Sequence, residues 1–147
     1  MASSPHFSDA ELCCHHTVRT VDTNGVSTFA PCNKLGATQE LVDALEQLRL
    51  IVDRPIAVNS AYRCPQHPLS IARPGSMHAK GLAADIRVRG MTARELYREA
   101  QKVTVFKGFG VDDRRNYLHV DIRPTDQVAL WTYGEDGQTL PWTEVAV

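Results

Sequence analysis

The chain has 147 residues, 43% apolar and 22% charged, a composition ordinary for a globular protein and sufficient for one hydrophobic core. Its net charge of -1, with only small basic clusters at Arg87-Val88-Arg89 and Arg114-Arg115, argues against a nucleic-acid partner. No apolar run reaches the roughly 20 residues of a membrane span, and Met1-Ala2-Ser3-Ser4-Pro5-His6 lacks the basic and apolar regions of a signal peptide.

Ser8-Asp9-Ala10-Glu11 is a capping-box pattern and predicts a short helix after Phe7. Asp22-Thr23-Asn24-Gly25, flanked by Thr and Val residues, predicts a hairpin turn. From Thr38 to Val52, the residues Leu41, Ala44, Leu45, Leu48, Ile51 and Val52 form a helical stripe that faces a core. Pro55 stops this helix, and Ile56-Ala57-Val58-Asn59 follows as a strand. Pro65 to Pro74 reads as a proline-punctuated loop, suited to the wall of a cleft. Leu82, Ala84, Ile86 and Val88 then alternate with Ala83, Asp85 and Arg87, which is strand periodicity. Thr92-Ala93-Arg94-Glu95 caps a second helix that runs to about Lys102, and Val103 to Val111 reads as a strand with a glycine bend. Tyr117 to Ile122 reads as the final hairpin strand. Trp131, Tyr133 and Trp142 are assigned to core and edge packing rather than to a sugar-binding platform. The expected fold is α+β: helices on one side of a small, mainly antiparallel sheet, a site on the opposite face, and one domain over 1–147.

Three residues carry the chemistry. His78 and Asp85 lie on one short stretch, and His119 lies in Tyr117-Leu118-His119-Val120-Asp121. Leu118, Val120 and Ile122 fall on one face of that strand, with Tyr117, His119 and Asp121 on the other. Two imidazoles and one carboxylate suit zinc with one coordination position left open. An open position serves chemistry, usually the activation of a water. The plainer reading of the three is a set of satisfied polar residues in a cleft.

Ser76-x-His78-x-x-Gly81-x-Ala83-x-Asp85, followed by a strand with a His, resembles the zinc D-alanyl-D-alanine carboxypeptidase superfamily. That group also contains vancomycin-resistance D,D-dipeptidases, phage L-alanyl-D-glutamate endopeptidases and the hedgehog signalling domain. Asn59-Ser60-Ala61-Tyr62-Arg63-Cys64-Pro65 resembles its Ser-x-Tyr-Arg segment, and Phe106-Lys107-Gly108-Phe109-Gly110-Val111 the stretch before its last ligand. The likeness runs from about Phe7 to about Tyr133. It implies His78, Asp85 and His119 as ligands of one zinc ion. It further implies hydrolysis of an amide bond in peptidoglycan peptides, D,D- or L,D-type, by a carboxypeptidase or an endopeptidase. Without an export signal, such an enzyme fits a monomeric phage lysis or virion-borne protein, made in a host cytoplasm and acting on the wall after release.

Arg63 is the expected substrate anchor, because a guanidinium binds a carboxylate through two parallel hydrogen bonds. The alternative is an Arg that pairs with a carboxylate to hold a loop. Ser76 is expected to hydrogen-bond a ligand or a loop backbone, and His67 to be a loop residue. The proton acceptor is open. Relatives carry Glu or Asp three residues before the last ligand, where this chain has Asn116, or His two before it, where this chain has Tyr117. Asp113 and Asp121 are the candidate bases. Asp113 reads otherwise as part of a solvated turn, and Asp121 as a group that orients an imidazole. Tyr117 could donate its hydroxyl to a developing oxyanion, or pack its ring at a strand edge. The missing acid at 116 leaves a second hypothesis: a non-catalytic, zinc-containing binding module.

Cys13, Cys14, Cys32 and Cys64 do not form paired CxxC motifs. Cys13-Cys14-His15-His16 with Cys32 offers a second ligand set. The reading taken from sequence is nonetheless buried thiols and a single zinc ion.

Overall fold

The computed structural model describes residues 4–142, so the expected unit of 1–147 extends beyond the described residues at both ends. Helix α1 (Asp9–Leu12) opens with the expected box: Ser8 Oγ accepts from the Glu11 N–H, and the Glu11 carboxylate accepts from the Ser8 N–H. Strands β1 (Thr17–Val21) and β2 (Ser27–Pro31) form an antiparallel hairpin. At its tip the Asp22 carboxylate accepts from the Asn24 and Val26 N–H groups.

Helix α2 (Gln39–Val52) is capped by Thr38 and buries Leu41, Val42, Ala44, Leu45 and Leu48. It ends at Asp53, in the left-handed conformation (φ 51°), two residues before Pro55. Strand β3 (Ile56–Ser60) follows. The proline-punctuated loop holds a short helix, α3 (Pro68–Ala72), because Pro68 occupies the first turn and His67 Nδ1 accepts from the Leu69 N–H. Strand β4 (Ala83–Val88) leads to helix α4 (Ala93–Ala100), capped by Thr92 and Glu95.

After α4 the structure departs from the sequence reading. Residues 101–107 form successive turns, with hydrogen bonds from the Val103 N–H to Ala100 and from the Phe106 N–H to Val103. The apolar Val103 and Phe106 are core plugs on this turn, not strand residues. Strand β5 is therefore shorter than expected (Gly108–Asp112). Strand β6 (Tyr117–Asp121) is not the last, since β7 (Ala129–Tyr133) and β8 (Thr139–Pro141) follow.

Six strands form one sheet in the order β3-β4-β6-β5-β7-β8. All neighbours are antiparallel except β5 and β7, which are parallel. The expectation of a small sheet is corrected by β7 and β8, which widen it beyond β5. Ala84, Ile86, Leu118, Val120, Phe109 and Val111 join the core with Leu96 of α4 and Leu45 and Leu48 of α2. Alternate positions carry Asp85, His119, Asp121 and the glycines of β5. The register lines up Ser60, Asp85, His119, Gly110 and Trp131 in one row across five strands. Among the described residues, no helix is long and apolar enough to cross a membrane.

Candidate metal centre and cleft

Pairing of β4 with β6 sets Asp85 directly opposite His119. His78 reaches them from the loop before β4. That loop turns at Gly81, whose φ of 74° and close approach to the Gly36 carbonyl leave no space for a side chain. His78 Nε2 lies 3.2 Å from Asp85 Oδ1, His119 Nδ1 lies 3.1 Å from the same oxygen, and the two nitrogens are 3.2 Å apart. All three residues are buried.

The outer nitrogens decide the protonation. His78 Nδ1 is 2.7 Å from the Ala61 carbonyl, and His119 Nε2 is 2.7 Å from Asp121 Oδ2. Each contact requires a proton on the outer nitrogen, which turns an unprotonated nitrogen inward in the neutral ring. Two nitrogen lone pairs and a carboxylate oxygen then converge on one point. They repel one another unless a cation lies between them. Ligands about 2.0–2.1 Å from a tetrahedral zinc stand roughly 3.3 Å apart, which matches this triangle. His78, Asp85 and His119 therefore fit a divalent ion with one open position.

Asp121 supports the set from below. Its carboxylate is fully buried and accepts from Arg123 Nε (2.8 Å), Arg123 Nη2 (2.7 Å) and the Arg123 N–H (3.2 Å). Gly108 makes room for it, because a side chain there would overlap the carboxylate. Burial pushes the Asp121 carboxyl up, but bonds from Arg123 and His119 outweigh this and hold it well below the usual range. For Asp85, burial likewise opposes charge, and the neighbouring His78 and His119 outweigh it. Burial disfavours a charged His119 ring, yet its bonds to Asp121 and Asp85 raise its pKa.

The triangle lies at the floor of a cleft of about 650 Å³. Arg63, Arg73, Arg115 and Arg123 line it, against two carboxylates, Asp85 and Asp136. Arg63 Nη2 donates to Asp85 Oδ2 (3.2 Å) and its Nε to Ser60 Oγ (3.1 Å). Arg63 thus pairs with a carboxylate and lines the cleft at once. Ser76 Oγ accepts from the His78 N–H at 3.1 Å. Tyr117 and Tyr133 stand with ring centres 5.7 Å apart in the cleft wall. Burial and the Asp85 charge push Tyr117 above its ordinary range and Tyr133 up to about 12. Both phenols therefore keep their protons at neutral pH and act as donors.

Not every candidate reaches the cleft. Asp113 is half exposed and accepts from Arg94 Nε (3.0 Å) and Nη2 (2.9 Å), and it is not among the lining residues. The turn between β5 and β6 aims it at α4. Asn116, at φ 55°, also turns away, its Oδ1 accepting from the Ala93 N–H at the start of α4. Asp121 has both oxygens bonded, Oδ2 to His119 and Arg123 and Oδ1 to Arg123. Trp131 lies with its ring centre 5.2 Å from that of His119 and packs against Tyr133, and both also line the cleft, a position the packing role expected from sequence did not include. Trp142 does pack, against Tyr97 and beneath Arg94. The alternation in Ala129-Leu130-Trp131-Thr132-Tyr133 was the signal that puts both aromatics on one strand face. Asp136 and Arg123 were also missed. Asp136 lies on the β7–β8 turn, where no local pattern marks it as part of a site.

A second cluster gathers Cys14, His16, Cys32 and Cys64, with one ligand atom from each within 4.8 Å of all the others. Cys64 takes the place that the sequence reading gave to Cys13. Cys13 Sγ instead faces the Ala10 carbonyl and Asn33, and His15 Nε2 faces the Ala10 carbonyl.

The sequence model of the family described as Peptidase M15 matches residues 5–121. No curated protein and no solved structure matches the chain. The matched segment contains His78, Asp85 and His119, whose inward-facing atoms form the candidate ligand triangle. With most of its length matched, the chain belongs to the peptidase M15 family, the zinc D-alanyl-D-alanine carboxypeptidase superfamily.

Proposed function

We propose that this chain is a zinc-dependent hydrolase that cleaves an amide bond in peptidoglycan stem or cross-link peptides. The observation that carries the reading is the convergence of His78 Nε2, His119 Nδ1 and Asp85 Oδ1 within 3.2 Å at the floor of an arginine-lined cleft. These three residues would hold the ion. When bound, zinc polarises a scissile carbonyl and lowers the pKa of a water.

The protein's own groups do the rest. Asp121, braced by Arg123, keeps His119 in one tautomer and orientation. Arg63, with donors left beyond Asp85 and Ser60, binds a substrate carboxylate, and Arg73 and Arg115 extend the cationic wall. Stem peptides carry free carboxylates, which this wall attracts. Tyr117 and Tyr133 donate hydroxyls to the oxygen that gains charge. Asp136, the exposed lining carboxylate other than Asp85, is the group assigned to accept the proton from water and return it to the leaving amine, on the ground of its place in the cleft lining. In this reading the enzyme works as a monomer and reaches the wall from a virion or after release from a host. The support for that setting is its resemblance to phage endopeptidases.

Incubation with isolated peptidoglycan tests the reading. New amino groups should appear, and both a chelator and Asp85→Ala should abolish them. Full zinc occupancy with no new termini on several wall types would favour the binding module instead. One observation favours that second reading: Asn116 stands where relatives carry an acid, and its amide is bonded to the start of α4.

A further inference from the structure

We propose that Cys14, His16, Cys32 and Cys64 form a second metal site: a closed, structural Cys3His centre for zinc that fastens the β1–β2 hairpin to the segment bearing Arg63. The four ligand atoms lie within 4.8 Å of one another. Cys32 Sγ is 3.7 Å from Cys64 Sγ, and His16 Nδ1 is 3.1 Å from Cys14 Sγ and 3.7 Å from Cys64 Sγ. Sulfurs bound at about 2.3 Å to a tetrahedral zinc stand roughly 3.8 Å apart. A disulfide would bring two of them to about 2.05 Å, and all four cysteines are free.

One backbone donor reaches a sulfur of the set. The Cys64 N–H donates to Cys14 Sγ (3.3 Å). That bond is the kind of outer-shell support that metal ligands have. Cys14 and Cys64 are fully buried, and His16 and Cys32 are half-buried. Four protein ligands leave no open position, and such closed sites are structural.

The hairpin explains why a fastener is needed. Every residue of β1 is exposed, and β2 buries none of its residues fully. Two strands without a core are marginal by themselves. Cys14 and His16 precede β1, Cys32 follows β2, and the Cys32 N–H bonds the His16 carbonyl at the base of the hairpin. Cys64 comes from the core side, next to Arg63. Metal binding would release three thiol protons to solvent and cross-link these segments.

Metal counting tests this independently of catalysis. Zinc-loaded wild type should hold two equivalents, and His119→Ala should keep one. Replacing zinc with Co²⁺ in His119→Ala should give intense near-ultraviolet thiolate-to-cobalt charge transfer. Cys32→Ser should fall to one equivalent and lose most of that band. Because Cys32→Ser could fail to fold, His119→Ala decides. A His119→Ala protein that is folded by circular dichroism yet binds no metal overturns the proposal. So does a Co²⁺ spectrum without thiolate bands, or a native mass lighter by the two hydrogens of a disulfide. Peptidase activity enters none of these readouts, so an inactive protein with two metals would sink only the hydrolase reading.

Discussion

His119 Nε2 lies 2.7 Å from Asp121 Oδ2, and this one contact sets which nitrogen of His119 faces the cleft. Asp121 is itself held by Arg123, so Arg123, Asp121 and His119 form a chain of bonds that ends at the candidate metal triangle.

Asp121→Asn should therefore weaken zinc binding by about 10–100-fold, the usual effect of losing an outer-shell partner. Competition with a coloured chelator measures it. Unchanged affinity would mean that packing alone orients the imidazole.

The two acids near the β5–β6 and β7–β8 turns should separate in kinetics. Asp136→Asn should lower kcat by about 100-fold or more, as loss of a proton acceptor does. Asp113→Asn should leave kcat nearly unchanged and cost at most ~1 kcal/mol of stability, because its pair with Arg94 is half exposed. If both variants keep full turnover, the proton-transfer assignment is wrong.

Tyr133 should titrate late. In the metal-free protein, burial and the Asp85 charge push its phenol up to about 12, against about 10 for a free tyrosine. Because the folded pKa is raised, the stability this group contributes is fully present below about pH 10 and lost as pH rises through about 12. Zinc would offset the Asp85 charge and lower the titration point. Ultraviolet difference titration of wild type against Tyr133→Phe, with and without zinc, reads both effects. A midpoint near 10 that zinc leaves unmoved contradicts the placement of Tyr133 beside Asp85.

Gly81→Ala should be costlier than Gly25→Ala. Both residues have positive φ, 74° and 78°, and an alanine there carries a conformational cost of about 1–2 kcal/mol. Gly25 has open space around it, whereas a side chain on Gly81 would overlap the Gly36 carbonyl. Chemical denaturation compares the two. Gly81→Ala should also weaken metal binding, because the turn delivers His78.

The amino-acid sequence by itself determined the helix caps, the stripe on α2 and the candidate triad His78, Asp85 and His119. Caps at Ser8, Thr38 and Thr92 act over a single helical turn, and the stripe on α2 repeats with the helix period, so both were legible residue by residue. The spacing from Ser76 to Asp85, with the strand around His119, pointed to the three residues that converge in the structure. Tertiary structure alone decided which other groups join them. The same turn that holds Asp113 sends it to Arg94, and the parallel pairing of β7 with β5 brings Trp131 beside His119. Cys64, far along the chain, meets Cys14 only because the Arg63 loop closes over the base of the hairpin. Caps and periodicity arise from neighbours a few residues apart, whereas strand register and loop closure depend on partners tens of residues away, which short-range patterns do not specify.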